Sequence, residues 1–215
     1  MTVEASAKRP LRADAARNQA RILAAARSVF SARTLDVSLD DIARHAGVGV
    51  ATLYRRYPDR ESLVAALFEI EMQGMVEIAS HALAAPDPWE GFTTLLCSMF
   101  RSVAEDRGLR QSLLSSRQGQ GVIFSSRLEL IRLLTLVVKR TQDDGRLRSE
   151  ITAQDIPPMI LMVGVVADFS SRVNSKLWKR YGALLIDALS ARGEQASLKP
   201  KALTPSELLQ ASELW

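Results

Sequence analysis

The chain has 215 residues, of which 47% are hydrophobic and 24% are charged, with a formal net charge of +4. Its length allows one large domain or two small ones with a buried core, and its single cysteine excludes an intrachain disulfide framework. The first residues lack the apolar run of a signal peptide, and the longest strongly apolar stretch, 156–167, is too short to span a bilayer, so we expect a cytoplasmic protein with no membrane partner.

Basic residues are concentrated at the N-terminal end. Residues 1–60 hold eleven Lys and Arg against six Asp and Glu, whereas the rest of the chain holds 17 against 18. We expect residues 1–12 to be a disordered arm whose Lys8, Arg9 and Arg12 either lie along phosphates or stay in solvent. An alanine-rich helix is predicted from about residue 14 to residue 32.

Residues 38–63 predict two short helices, a glycine turn and the start of a third helix. Ser38 can cap the first helix, Gly47 can end it in the left-handed conformation, and Pro58 ends the second. Apolar residues recur in the first helix at i, i+3, i+4 and i+7, namely Leu39, Ile42, Ala43 and Ala46. This spacing gives one stripe for packing against the second helix.

The second helix would turn Leu53 and Tyr57 inward and the rest of its surface outward. Because a major groove admits an α-helix and arginines reach phosphates or guanine edges, this pattern indicates a helix-turn-helix that binds double-stranded DNA. Arg60 opens the next helix, where its charge opposes the dipole but suits a phosphate. The candidate DNA-binding residues are Ser38, Val50, Ala51, Thr52, Tyr54, Arg55, Arg56 and Arg60.

At this spacing the chain resembles the DNA-binding signature of the TetR family of bacterial transcriptional regulators. The residues that carry the resemblance are Ile42-Ala43, Ala46-Gly47-Val48, Thr52-Leu53-Tyr54, Tyr57-Pro58, Arg60-Glu61 and Leu63. Gly49 stands where the family often has serine, and Ala51 where glycine is frequent. Tyr57 and Arg60 replace phenylalanine and lysine and keep their chemistry. The alternative to DNA binding is that these residues form a helix–glycine–helix corner, as in many all-α proteins that have no nucleic acid partner.

The remaining elements are predicted to be helices. A helix from Arg60 runs past twenty residues and would rigidly join the N-terminal DNA-binding helices to the rest of the chain. Further predicted elements are helices at 89–105 and 108–114, a loop around 118–121, a long helix ending at 143–145, and helices at 152–169 and 176–191. The expected all-α fold of about nine helices divides into the arm 1–12, a three-helix DNA-binding head at 13–59, a helical effector-binding and dimerisation body at 60–192, and a tail at 193–215 with a possible short helix.

The last two body helices are apolar on more than one side. The resemblance implies that they form a four-helix homodimer interface, and the alternative is an ordinary intramolecular core. The candidate interface residues are Met159, Val163, Gly164, Ala167, Leu177, Tyr181, Leu184, Leu185 and Ala188.

The resemblance also implies that a small effector binds in the body and releases DNA by changing the distance between two heads. A Met-rich apolar lining would suit a small hydrophobic effector, although such a stripe is also typical of core packing. The candidate pocket residues are Trp89, Phe92, Leu96, Met99, Phe124, Arg127, Leu128, Met162 and Val166, with Asp168 as a second polar candidate. Cys97 lies in the same apolar pattern, which favours a core thiol.

No catalytic, metal-binding or nucleotide-binding motif is present, and His45 and His81 are isolated in the sequence. We therefore expect no enzyme activity and no cofactor. The favoured function is a ligand-responsive repressor that binds a palindromic operator as a homodimer. The alternative is a dimeric helical small-molecule-binding or interaction module without sequence-specific DNA recognition.

Overall fold

The computed structural model describes residues 8–32, 37–105, 124–193 and 195–213, and these residues form nine α-helices and no strand. The helices are α1 Lys8–Ala32, α2 Leu39–Ala46, α3 Val50–Arg56, α4 Arg60–Ala84, α5 Pro88–Glu105, α6 Phe124–Asp143, α7 Ile156–Ser170, α8 Trp178–Leu189 and α9 Pro205–Glu213. The predicted all-α class is confirmed. The helix predicted at 108–114 and the loop at 118–121 lie outside the described residues.

The chain forms two compact units, Met1–Leu67 and Phe68–Trp215. The boundary therefore lies at Leu67 and not after residue 59, where the sequence placed it. Leu63, in the first turn of α4, is fully buried in the hydrophobic core of the first unit, which explains the later boundary.

Helix α1 begins at Lys8, so the expectation of a disordered arm over residues 1–12 is wrong for residues 8–12. Proline at position 10 lies in the first turn of α1, where its missing amide costs no helical hydrogen bond, and an alanine-rich run follows. Residues 1–7 lie outside the described part of the chain. Further along α1, Ile22, Ala26 and Phe30 are buried in the core of the first unit, as their spacing predicted.

The core of the second unit is built mainly from α5, α6 and α7. Its largest fully buried side chains include Phe92, Leu96 and Phe100 of α5, together with Ile156 and Val163 of α7. None of the described helices is both long and apolar enough to cross a membrane.

Helix α7 starts later than the predicted residue 152 because a 3-10 turn, Ala153–Asp155, precedes it. The Thr152 hydroxyl and backbone amide both donate to the Asp155 carboxylate, at 3.0 and 2.8 Å. This capping box closes the short turn, and the prolines at 157 and 158 then occupy the first turn of α7.

The possible helix in the tail is present as α9. Thr204 and Glu207 form its capping box: the Thr204 amide donates to the Glu207 carboxylate at 2.8 Å, and the Thr204 hydroxyl donates to the same oxygen at 2.7 Å. Ahead of α9, the Ser197 hydroxyl and the Leu198 amide donate to the Glu150 carboxylate at 2.7 and 3.1 Å. These bonds hold the start of the tail against the segment that precedes α7.

An ion pair fixes the loop between α4 and α5. The Arg146 guanidinium donates two hydrogen bonds to the Asp87 carboxylate, at 2.7 and 3.0 Å. Asp87 also accepts the Glu90 amide at 3.0 Å and so caps α5. The bonds from Arg146, followed by the bond from the Glu90 amide, lower the pKa of Asp87 to about 2.

Replacing Asp87 by Asn should lower the melting temperature at pH 7, because it removes both the ion pair and the charged cap. Since the folded-state pKa is depressed from 3.8 to about 2, the stabilisation is present above the unfolded value and is lost as pH falls through the folded value. Circular dichroism melts should therefore show the gap between wild type and variant narrowing between pH 4 and pH 2. Asp143→Asn, which removes a carboxylate from the exposed pair with Lys139, is the control and should change the melting temperature little. A difference in melting temperature between wild type and Asp87→Asn that stays constant with pH would contradict the stabilising role given to the ionised Asp87 carboxylate.

Candidate nucleic-acid interface

The turn between α2 and α3 is set by the two ends of α2. Ser38 caps its start, accepting the Asp41 amide at 3.1 Å and donating to the Asp41 carboxylate at 2.8 Å. Gly47 ends it with φ 61° and ψ 39°, the left-handed region that glycine enters without penalty. The Val48 amide then donates to the Ala43 carbonyl at 3.0 Å. These caps fix the direction in which α3 leaves the turn.

Helix α3 is anchored by one side and open on the other. Leu53 is 0% exposed and Tyr57, its C-cap, is 5% exposed, both in the core of the first unit. The opposite side is open to solvent: Tyr54 is 43% exposed. Of the predicted contact residues on α3, Thr52 is half-buried and the exposed ones are Val50, Ala51, Tyr54, Arg55 and Arg56. In the structure, the buried and exposed sides of α3 are therefore the ones that the sequence predicted.

Two contacts from α1 orient the turn and α3. The Arg21 guanidinium donates to the Gly47 carbonyl at 2.8 Å, and the Arg56 guanidinium donates to the Gln19 side-chain oxygen at 2.8 Å. Neither Gln19 nor Arg21 was predicted to belong to the site, because no local pattern links Arg21 to a turn 26 residues later. Arg56 is therefore held by α1, whereas the side chain of Arg55 makes no hydrogen bond or ion pair with another described residue.

Tyr54 lies near the start of α2. The Asp40 carboxylate raises the pKa of Tyr54, first by a side-chain hydrogen bond and then by its charge. A tyrosine phenol is protonated at neutral pH even at its ordinary pKa, so Tyr54 is a hydrogen-bond donor. Ser38 is exposed as well, but its hydroxyl is already engaged in the cap of α2.

Arg60 begins α4 and is half-buried over an aromatic ring. Its guanidinium carbon lies 5.8 Å from the centroid of the Phe30 ring, a cation–π distance. The Nη2 atom of Arg60 and the hydroxyl of Tyr57 are buried without a hydrogen-bond partner among the described residues. Asp59 caps α4 by accepting the Ser62 amide at 2.7 Å. Stacking on Phe30 fixes the guanidinium of Arg60 at the N-terminal end of α4.

The predicted dimer residues divide between two environments. Val163, Gly164 and Ala167 are buried in the core of their own unit, so the prediction that they face a partner is wrong. Tyr181, Leu184 and Ala188 are exposed, and Met159, Leu177 and Leu185 are half-buried. Helix α7 also has an exposed apolar side whose residues were not among the predicted interface residues: Met162, Val165, Phe169 and, beyond its end, Val173.

The predicted pocket residues differ in their exposure to solvent. Phe92, Leu96 and Met99 are buried in the core, whereas Leu128 and Met162 are about half exposed. Trp89, Arg127 and Val166 are half-buried, Asp168 is exposed, and Phe124 opens α6. Cys97 is exposed, so the expected core thiol is wrong. Cys97 is exposed because α5 buries the side that bears Phe92 and Leu96, and Cys97 lies on another side of the helix.

The described residues hold no group of His, Cys, Asp and Glu that could bind a metal ion. The arrangement is that of a helix-turn-helix protein, with a short helix presenting arginine, tyrosine and small side chains to solvent. Such a helix can enter a major groove while neighbouring elements hold the phosphates.

Comparison with known proteins identifies the family. The model described as bacterial regulatory proteins, tetR family, matches residues 22–67. The crystal structure of a TetR transcription regulatory protein from Mycobacterium vanbaalenii is 31% identical over 85% of this chain and 100% of that chain, with a TM-score of 0.62. The TetR transcriptional regulator SCO0520 from Streptomyces coelicolor is 29% identical over 81% and 99%, with a TM-score of 0.61. A search of curated proteins gives no significant match.

A third structure shares the fold at lower identity. The regulator FadR from Bacillus subtilis, crystallised with stearoyl-CoA, is 18% identical over 79% of this chain and 98% of that chain, with a TM-score of 0.59. From the identity and coverage of the mycobacterial relative, the chain belongs to the TetR family of bacterial transcriptional regulators. It is a DNA-binding transcriptional regulator and not an enzyme.

The turn can be tested at Gly47. Replacement by alanine should destabilise the protein by about 1–2 kcal/mol, because an L-residue is strained at positive φ. The added methyl would also lie 2.5 Å from the Arg21 guanidinium and displace its hydrogen bond to the turn. Urea-induced unfolding of the full chain measures the change.

Gly74 is the matched control for that substitution. It lies inside α4, and a methyl group added there meets nothing within 4 Å. Gly74→Ala should therefore stabilise by roughly 0.5–1 kcal/mol through helix propensity. Equal effects of the same sign at both glycines would refute the structural role given to Gly47.

Proposed function

We propose that the protein is a ligand-responsive repressor that binds a palindromic operator as a homodimer in the cytoplasm. The observation that carries the proposal is the two-sided character of α3, with Leu53 fully buried and Tyr54 and Arg55 exposed. In this proposal α3 enters the major groove, with Thr52, Tyr54 and Arg55 at base edges and Arg56 and Arg60 at phosphates. Val50 and Ala51 are small enough for close approach and for contact with thymine methyl groups.

The contacts within the first unit support this division of roles. Arg56 is already bonded to Gln19, which suits a fixed phosphate contact, whereas Arg55 is free to meet a base. Arg60 lies over the Phe30 ring at the start of α4, and its buried Nη2 atom has no hydrogen-bond partner among the described residues. Ser38 takes part through its cap of α2 and not through its hydroxyl.

The exposed apolar side of α7 and α8 supports a homodimer. Val165 and Phe169 are 67% and 86% exposed, and α8 adds Tyr181, Leu184 and Ala188 on its open side. Exposed apolar side chains on two neighbouring helices are typical of an interaction site, and a two-fold protein matches a palindromic operator. The proposed half-sites are then about 34–36 Å apart, or a multiple of that distance.

A small effector would act through the body of the dimer. FadR, crystallised with stearoyl-CoA, has the same fold at 18% identity, which supports a ligand-binding body without defining the ligand. An effector needs a coupling of only about 1–3 kcal/mol to change operator affinity about five- to 150-fold.

Arg55→Ala should lower affinity for the operator by about 1–3 kcal/mol, roughly 5–150-fold, because it removes a base contact. The operator is first selected from a random DNA pool with the purified wild-type chain, and affinities are then measured by gel shift at fixed salt. Tyr54→Ala should weaken the same complex, and added salt should weaken binding steeply because phosphate contacts release counterions.

Arg132→Ala is the control for the DNA measurement. Arg132 is an exposed arginine of the second unit, paired with Glu129 at 2.6 Å, and its removal should leave operator affinity unchanged. Unaltered binding by both α3 variants would refute the assignment of α3 as the recognition helix. Selected sites without two-fold symmetry would refute the palindromic operator.

The dimer can be tested at Phe169, the most exposed aromatic side chain of the proposed interface. Phe169→Glu places a charge on that surface and should convert the dimer to a monomer in sedimentation equilibrium, because an unpaired charge is costly to bury. Leu128→Glu, at a position 50% exposed on α6, should leave the dimer intact. A dimer that survives Phe169→Glu, or a wild-type monomer, would place the interface elsewhere or exclude it.

A further inference from the structure

A groove of about 510 Å³ lies between α5 and α8, apart from the exposed apolar side of α7 and α8. Its walls are apolar and aromatic: Trp89 and Phe100 come from α5, and Trp178 and Ile186 come from α8. The volume lies within the range of about 300–1,000 Å³ that is usual for small-molecule sites. The groove can therefore hold a ligand of one or two rings.

Phe100 and Gly182 shape the floor of the groove. Both are buried, and a methyl group added at Gly182 would approach the Phe100 ring to 3.1 Å. The absence of a side chain at Gly182 lets α8 approach the ring closely and leaves the space above it open. Across this floor, Trp89 packs against Phe92 at 5.9 Å between ring centroids, which fixes the wall on the α5 side.

The rim of the groove is cationic. Three basic residues, Arg101, Lys179 and Arg192, line it, against the single carboxylate of Asp187. Asp187 is already paired with Arg192 at 2.5 Å, and Lys179 lies 5.6 Å from the Trp178 ring. The side chain of Arg101 makes no hydrogen bond or ion pair with any described residue. The free donors at the rim therefore favour an anion.

We propose that this groove binds an aromatic carboxylate, with its rings between the tryptophans and its carboxylate at Arg101 and Lys179. Aromatic rings match the walls, and a carboxylate matches the planar guanidinium. The ligand is thus an amphipathic anion and not the purely hydrophobic effector that the sequence suggested. Its role as the effector rests on the proposed ligand-responsive function, whereas its binding is independent of DNA.

Cys97, the single cysteine of the chain, lines the groove and is exposed, so its alkylation reports on occupancy. The experiment measures the rate at which iodoacetamide modifies Cys97 of the full chain in the presence of 1-naphthoate. Saturating 1-naphthoate should slow the reaction about tenfold or more. The neutral analogue 1-naphthalenemethanol should need roughly tenfold higher concentrations, because it lacks the charge that the rim recognises.

Variants at the rim distinguish the contribution of its positive charge to ligand binding from that of the apolar walls. Arg101→Gln and Lys179→Gln should each weaken protection by 1-naphthoate roughly five- to tenfold and leave protection by the alcohol unchanged. Arg180→Gln, one residue beyond Lys179 on α8 and outside the groove, is the matched control and should change neither. Ala183→Trp should abolish protection by filling the groove.

Three outcomes would overturn the proposal: no protection by 1-naphthoate, equal protection by acid and alcohol, or equal weakening by Arg101→Gln and Arg180→Gln. The alkylation rate without ligand and the circular dichroism spectrum of each variant show whether it is folded. If a rim variant is misfolded, the loss of protection in Ala183→Trp is the test of the groove. No DNA is present in the assay. Protection of Cys97 can therefore be observed in a protein that does not bind an operator. Equally, a protein that binds an operator can show no protection of Cys97.

Discussion

The burial of Leu53 is the interaction on which the DNA-binding unit depends. A helix of seven residues such as α3 is too short to be stable alone, because nucleation costs more than so few hydrogen bonds return. Leu53, with Tyr57 at the end of the helix, fixes it to the core of the first unit. Once that side is fixed, the helical period determines that Ala51 and Arg55 face solvent. The same contact therefore stabilises the helix and directs its arginine outward.

This relation explains why the exposed side of α3 was predictable from the sequence. Ser38, Gly47 and Pro58 define where each helix starts or stops, and the apolar stripe defines which side is buried. These signals are local and lie within one or two turns of the residues they position. The contacts from Gln19 and Arg21 are not local, since they join α1 to residues far along the chain. A pattern with a helical period does not contain such pairings.

The second unit was less predictable because its helices are apolar on two sides. In α7, Val163 and Ala167 face the core while Val165 and Phe169 face solvent, yet both pairs are apolar. Hydrophobicity alone cannot decide which side packs on α5, and the small Gly164 and Ala167 were assigned to a partner instead of the core. The first unit avoids this ambiguity because the outer side of α3 is polar.

The groove had a weak signal in the sequence that the apolar stripe of α5 concealed. Thr93, Cys97 and Arg101 recur at i, i+4 and i+8, beside the buried Phe92, Leu96 and Phe100. A polar stripe is usually a solvated face of a helix. Here α8 lies against it, and Gly182 leaves a gap that no pattern within α5 alone could indicate.

Helix α8 connects the two proposed sites of the second unit. One side of it lines the groove with Trp178 and Ile186, and the other presents Tyr181 and Leu184 to solvent. A ligand can shift the dimer only by as much as it prefers one position of α8 over another. The close packing of Gly182 on the Phe100 ring couples the groove to the backbone of α8, so a ligand that prefers one spacing of α5 and α8 acts on the whole helix. Any displacement of α8 by such a ligand would also displace its exposed side, which is the side proposed for the dimer.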